Sequence, residues 1–354
     1  MTESAIRETM DAFRLKTTDH KRLKTIREEI LRTLRYGGHQ LMIVVGPTGV
    51  GKKGLRRQVM ARSKEIVAID AGMGRTPALW MDATPPFMGV FSWPDFFRHL
   101  LESGHEPLIS QKIIYPDEKA EMLLMLQGVK APPALLASSI KMLVHRRPIA
   151  LVLDESQHIV DLKNELTVAR QLNILKCLAE RSGTVLVLLG TYKLASALEL
   201  NGELLRRSKV MHFQAYKPDN GEDVTEFKMI LRSMQTYLPI ESSFALEDKH
   251  EFLMEWSAGC VGLLKDWIDR ALVLALDKGD TKLMLSHLRH TAMSKGELGT
   301  ILKEMEDGEK AMKLFFKGER NPGFRNREEK KKTTRGRVGQ RRPTRDDVGL
   351  NRED

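Results

Sequence analysis

GPTGVGKK, residues 46 to 53, decides how this chain is read. It is a phosphate-binding loop in every position but the last, where Lys53 stands in place of the usual Ser or Thr. The run before it, Leu41-Met42-Ile43-Val44-Val45, is apolar throughout, as a buried parallel strand should be, and Lys52 onward is rich in helix formers. Placed between strand and helix, Gly46, Gly49 and Gly51 let the backbone curl around Pro47, Thr48 and Val50. Successive N–H groups and the helix N-terminus then point at polyphosphate, and Lys52 reaches the outer phosphates. The predicted ligand is a nucleoside triphosphate, held by residues 46 to 53.

A second motif reinforces the first. Ile149-Ala150-Leu151-Val152-Leu153 ends in Asp154-Glu155, 102 residues beyond Lys52. A carboxylate at the C-terminal end of a strand beside the phosphate loop can hold Mg²⁺, and a second can polarise the attacking water. Asp154 is assigned to the metal and Glu155 to the water. Lys53 disturbs this arrangement, because the missing hydroxyl normally binds Mg²⁺ beside the β-phosphate and an ammonium cannot. Thr48 can offer a substitute hydroxyl, Lys53 can turn to solvent, or its charge can replace part of the magnesium's. Slow hydrolysis is expected, as of a switch rather than a fast motor.

The chain has 354 residues, enough for one large core or two modest domains, with 42% hydrophobic content and only two cysteines, Cys177 and Cys260. That excludes a disulfide framework or a zinc cluster of cysteines and fits a reducing compartment. With no signal-like segment and no apolar run of ~20 residues, a cytoplasmic location away from membranes is expected. The formal charge of +10 is uneven, since residues 317–354 contribute a surplus of +6. This tail, low in apolar residues, reads as disordered. Its charge suits gripping nucleic-acid phosphates, docking on an acidic partner, or solubility alone.

Along the chain, Leu23, Ile26, Ile30, Leu31 and Leu34 fall at helical spacing before the first strand, and a long helix follows the loop. Ala78 to Asp82 reads as a strand. Trp93, Phe96, Phe97 and Leu100 form one face of a helix, and a further helix from Pro132 to about His145 precedes the Asp154 strand. A helix over 165–181 leads to a strand over 184–189, followed by Gly190-Thr191, where Thr191 is placed to sense the γ-phosphate. Arg206-Arg207 close a short helix before a strand over 210–213. Alternating strands and helices predict a three-layer α/β/α core with a mostly parallel sheet, and from Asp219 the pattern is helical. The predicted organisation is an N-terminal extension (1–20), a nucleotide-binding domain (21–217), a helical lid (218–296), a C-terminal helix (297–316) and the basic tail (317–354).

This order of elements resembles an AAA+ ATPase and, more narrowly, the TnsC/TniB family of transposition regulators. The narrower likeness rests on DATPPFMGVFSWPDFFRHLL, LVLDESQHI and NGELLRRSKVMHF, and spans roughly residues 20 to 295. The resemblance implies Lys52 as phosphate lysine, Asp154 as magnesium-side acid, Glu155 as hydrolytic carboxylate and Thr191 as first sensor. It implies Arg206 or Arg207 as a finger reaching a neighbouring subunit's ATP, and Lys265, in SAGCVGLLKDW, as second sensor. It further implies a ring or helical oligomer on duplex DNA without base readout, a TniQ-type target selector and a TnsB-type transposase. Lys112, Lys141, Arg146 and Arg147 are the candidate DNA contacts. A replication initiator or helicase loader, or a nucleotide-controlled signalling switch that does not bind DNA, shares the same ATP apparatus.

Overall fold

Every residue of the first strand, β1 (Leu41–Val45), is buried, and its side chains alternate between two cores. Leu41, Ile43 and Val45 join one cluster, Met42 and Val44 the other. That is the two-residue period of a strand covered on both faces, which requires layers of helix above and below. The computed structural model describes residues 3–68, 76–86, 91–110, 133–160, 165–198 and 208–317.

Five strands form one sheet in the order β2-β3-β4-β1-β5, comprising β2 (Ala78–Asp82), β3 (Ala150–Asp154), β4 (Val185–Gly190) and β5 (Ser208–His212), with every pairing parallel. The expected three-layer core is present, and its sheet is wholly parallel. Because β3, β4 and β1 are neighbours, the segments leaving their C-terminal ends are neighbours too: Asp154-Glu155, Thr191 and the phosphate loop. Binding sites of open parallel sheets form at that edge.

The helices ahead of β5 in the chain are α1 (Glu3–Leu15), α2 (Lys21–Tyr36), α3 (Lys52–Ala68), α4 (Trp93–Ser103), α5 (Pro133–Arg146), α6 (Gln157–Val160), α7 (Glu165–Ser182) and α8 (Tyr192–Leu198). α4 starts where Ser92 accepts a hydrogen bond from the Asp95 N–H, and its Trp93, Phe96 and Phe97 pack with Phe91 as an aromatic cluster. These aromatics lie in the core.

From β5 to Lys317 the described chain is mostly helical: α9 (Gly221–Gln235), a short 3₁₀ turn (Leu246–Lys249), α10 (His250–Trp256), α11 (Val261–Asp277), α12 (Leu285–Thr291) and α13 (Lys295–Lys317). Two parallel two-residue strands, Glu241–Ser242 and Lys282–Leu283, tie this part together. It has its own core, in which Trp267 donates its indole N–H to the Leu288 carbonyl. Met10 and Phe13 of α1 belong to that core, so the segment read as an extension is a helix built into the helical region. Asp223 joins α9 to α2, accepting both 2.6 and 2.8 Å bonds from one Arg22 nitrogen as well as the Lys217 N–H at 2.9 Å. Such charge-assisted bonds are stronger than neutral ones.

The chain divides into units of residues 1–313 and 314–354. Of the second, only the end of α13 is described. The tail from 318 onward lies outside the described residues, as do Lys112, Arg206 and Arg207. Among the described residues, no helix is long and apolar enough to cross a membrane.

Candidate nucleotide site

A cleft of about 520 Å³ opens at the C-terminal edge of the sheet. It is walled by the phosphate loop, Asp154, Glu155 and Thr191, by the start of α11, and by residues 13–20. Thus Thr48, Gly49, Gly51, Lys52, Lys53, Asp154, Glu155, Thr191 and Lys265, all expected from the sequence, meet around one space. Lys141, Arg146 and Arg147 lie at the other edge, ahead of the N-terminal end of β3.

The loop has the strain its glycines are there to relieve. Gly49 and Gly51 have φ of 76° and 122°, in the region L side chains avoid. The start of α11 packs directly on this loop, with the Leu263 N–H donating to the Gly49 carbonyl at 3.0 Å. A Cβ on Gly262 would collide with that same carbonyl, so the absence of a side chain sets how closely α11 approaches.

Lys52 is 8% exposed and donates to the carbonyls of Gly46 and Pro47, both at 2.9 Å. Burial lowers its pKa, while Asp154 and Glu155 act to raise it. The ammonium is thus held at the mouth of its own loop by neutral acceptors, which an anionic phosphate can displace.

Asp154 is 1% exposed, and both of its oxygens are engaged. Oδ1 accepts from the Glu155 N–H at 2.9 Å and Oδ2 from Arg56 Nη1 at 3.0 Å. Burial pushes its carboxyl pKa up, against those two donors. Arg56 also bonds Asp82 at 2.9 Å, and its guanidinium stacks on Trp80 at 3.9 Å from the ring centroid. The donor set does not fit a divalent cation: the hydroxyl position is Lys53, and a guanidinium occupies the acid that would face the ion. Among the described residues no group of three or more His, Cys, Asp or Glu is placed to hold a metal.

Glu155 adopts φ 51°, an uncommon conformation for a residue with a side chain, of the kind that clusters at functional sites. Its Oε2 accepts from Gln157 at 2.6 Å, and Gln157 Oε1 accepts the Thr191 N–H at 3.2 Å. One amide therefore couples the Glu155 carboxylate to the Thr191 backbone. Gln157 and Arg56 are the site residues that sequence reasoning missed.

Lys265 lines the cleft but is already engaged by α1. It donates to the Arg14 carbonyl at 2.9 Å and to the Lys16 carbonyl, with burial pushing its pKa down to about 8. His20, at the same end, bonds the Tyr216 hydroxyl through Nδ1 at 2.9 Å, stacks on Phe213, and leaves Nε2 buried without a partner. Burial pushes its pKa down to about 4, which keeps the ring neutral.

Residues 32–198, spanning the loop, Asp154-Glu155 and Thr191, match the model of the family described as AAA domain. A parallel sheet between helical layers is consistent with an AAA+ core, and the AAA-domain match ends at α8, ahead of β5 and the helical region. Among solved structures, the Aeropyrum pernix ORC2 protein is 13% identical over 78% of this chain and 69% of its own, with a TM-score of 0.46. The Walker-type ATPase of Pyrococcus abyssi is 15% identical over 83% and 78%, with a TM-score of 0.49. The Aeropyrum pernix ORC1 protein in complex with DNA is 15% identical over 76% and 63%, with the same score. These likenesses are too distant to carry a function. No curated protein matches the chain.

Proposed function

We propose that the chain is an ATP-binding AAA+ regulator of DNA transposition, which assembles on duplex DNA when nucleotide binds and links target selection to the transposase. The observation that carries the nucleotide part is the meeting of Lys52, Asp154, Glu155 and Thr191 around one cleft, from segments leaving three adjacent strands. ATP draws Lys52 off the Gly46 and Pro47 carbonyls onto its outer phosphates. Glu155 polarises the attacking water, while Gln157 holds that carboxylate and the Thr191 backbone in fixed relation. Arg206 or Arg207 of a neighbouring protomer supplies the cation that closes the site, so turnover depends on assembly.

The transposition part rests on the sequence likeness to TnsC/TniB regulators, with TniQ-type and TnsB-type partners as its corollary. Lys112, Lys141, Arg146 and Arg147 serve as DNA contacts. Lys141 and Arg147 are exposed, and the Arg146 guanidinium reaches the His105 carbonyl at 3.5 Å. Lys141, Arg146 and Arg147 stand away from the cleft, which leaves the nucleotide and the duplex separate surfaces.

Filter binding to duplexes of unrelated sequence, with and without a non-hydrolysable ATP analogue, tests this reading. ATP-stimulated binding that ignores sequence and weakens steeply with salt is expected. Indifference to DNA in both conditions overturns it in favour of a nucleotide-controlled switch without a DNA ligand.

A further inference from the structure

Arg56 leaves α3 one turn after Lys52 and reaches the acid at the end of β3. Its Nη1 is shared between Asp154 and Asp82, at 3.0 and 2.9 Å, and its side chain is 13% exposed beneath the Trp80 contact. A carboxylate as buried as Asp154 needs a counter-charge, and a desolvated guanidinium in hydrogen-bond contact supplies one. Three features agree: the counter-charge belongs to the protein, position 53 is a lysine with no hydroxyl to ligate an ion, and Arg56 is held from three sides. A divalent ion entering there would have to displace a stacked guanidinium.

The rest of the cleft is charged to match. Lys16, Lys52, Lys53, Arg57 and Lys265 line it, against Glu155, Asp266 and the Asp269 that pairs with Arg14. A metal-free triphosphate carries about four negative charges, of which a divalent cation would cancel about two. The excess of cations in the wall suits the uncancelled form.

We propose that this site takes nucleoside triphosphate without a divalent metal, with the Arg56 guanidinium standing as the built-in counter-ion of Asp154. The proposal rests on the nucleotide reading above and adds the ionic form of the ligand. Glu155 remains to polarise water at the bound phosphate, and slow turnover follows from the missing ion.

Fluorescent-ATP titration of the full chain, in EDTA and in excess Mg²⁺, tests it. Dissociation constants within about threefold of each other, or tighter in EDTA, are expected. Weakening of tenfold or more in EDTA overturns the proposal while leaving the nucleotide site intact. Absence of binding in both buffers overturns the nucleotide reading as well, so the two failures are distinct. The double variant Lys53→Thr/Arg56→Gln restores the hydroxyl and removes the guanidinium, and should lose at least tenfold in affinity when Mg²⁺ is chelated. A variant that is folded by circular dichroism and still indifferent to metal counts against the role of Arg56. If it does not fold, the wild-type comparison decides.

Discussion

At the phosphate end of the cleft, consecutive residues of one loop make the wall, whereas at the far end the wall is assembled from Phe13, His20, Val261 and Lys265, brought together across the chain. The first end is local: its conformation follows from glycines with positive φ and from the strand before them. The second depends on α1, α2 and α11 holding one another. The loop end should therefore govern whether nucleotide binds at all, and the far end how firmly the helical region is held over it.

The largest expected effect on the far end is acid. The folded-state pKa of His20 is about 4, below the 6.5 of the unfolded chain. Its contribution to stability is therefore complete above pH 6.5 and is lost as the pH falls toward 4, by up to the order of 3 kcal/mol. His212, also pushed down to about 4 by burial, adds in the same direction. Urea unfolding between pH 7 and 4.5 should show stability falling with acidification, and less steeply in the non-titrating variant His20→Asn. An unchanged slope in that variant would mean that the ring is already solvated.

Next comes the seam where the two ends touch. Gly262→Val puts side-chain atoms into the Gly49 carbonyl, so α11 must retreat from the loop and break the Leu263 to Gly49 hydrogen bond. Destabilisation of about 2 kcal/mol is expected, together with roughly tenfold weaker nucleotide binding. Both are read by thermal unfolding with and without ligand. A variant that loses stability but keeps full affinity would show that the loop works without its lid.

The smallest effect should come from the outer rim. Arg14 pairs with Asp269 at 2.9 Å, with the arginine side chain 47% exposed. Arg14→Ala should cost less than about 1 kcal/mol, because solvent and salt screen such pairs. A loss well beyond that would place the ion pair, rather than the buried Met10 and Phe13, in charge of α1.

How far the sequence could be read follows the same division. The strand before the loop, the loop itself, Asp154-Glu155 and Thr191 were legible because each motif carries its meaning within a few residues. Arg56 was not, since its partners Asp82 and Asp154 are 26 and 98 residues away, and only the sheet order brings them together. The one usable signal was a basic residue one turn into the helix after the loop, facing two strands that end in Asp. Gln157 gave less, because a polar residue two beyond Glu155 has no distinctive pattern. Met10 and Phe13 had suitable spacing for an amphipathic helix, yet their partners begin about 200 residues later, at Tyr216. For the same reason Lys265 could be placed at the cleft but not on the carbonyls of Arg14 and Lys16. Arg206 and Arg207 remain expectations from the family likeness.

The central claim is that Lys52 is parked on its own loop, ready to transfer to a triphosphate. Calorimetric titration of ATP into the wild-type chain and into Lys52→Ala tests it most directly. Saturable binding by the wild type is expected, at least 30-fold weaker in the variant, which is about 2 kcal/mol for one lost charge-assisted contact. Equal affinity in the two proteins, or no heat of binding in either, would contradict it.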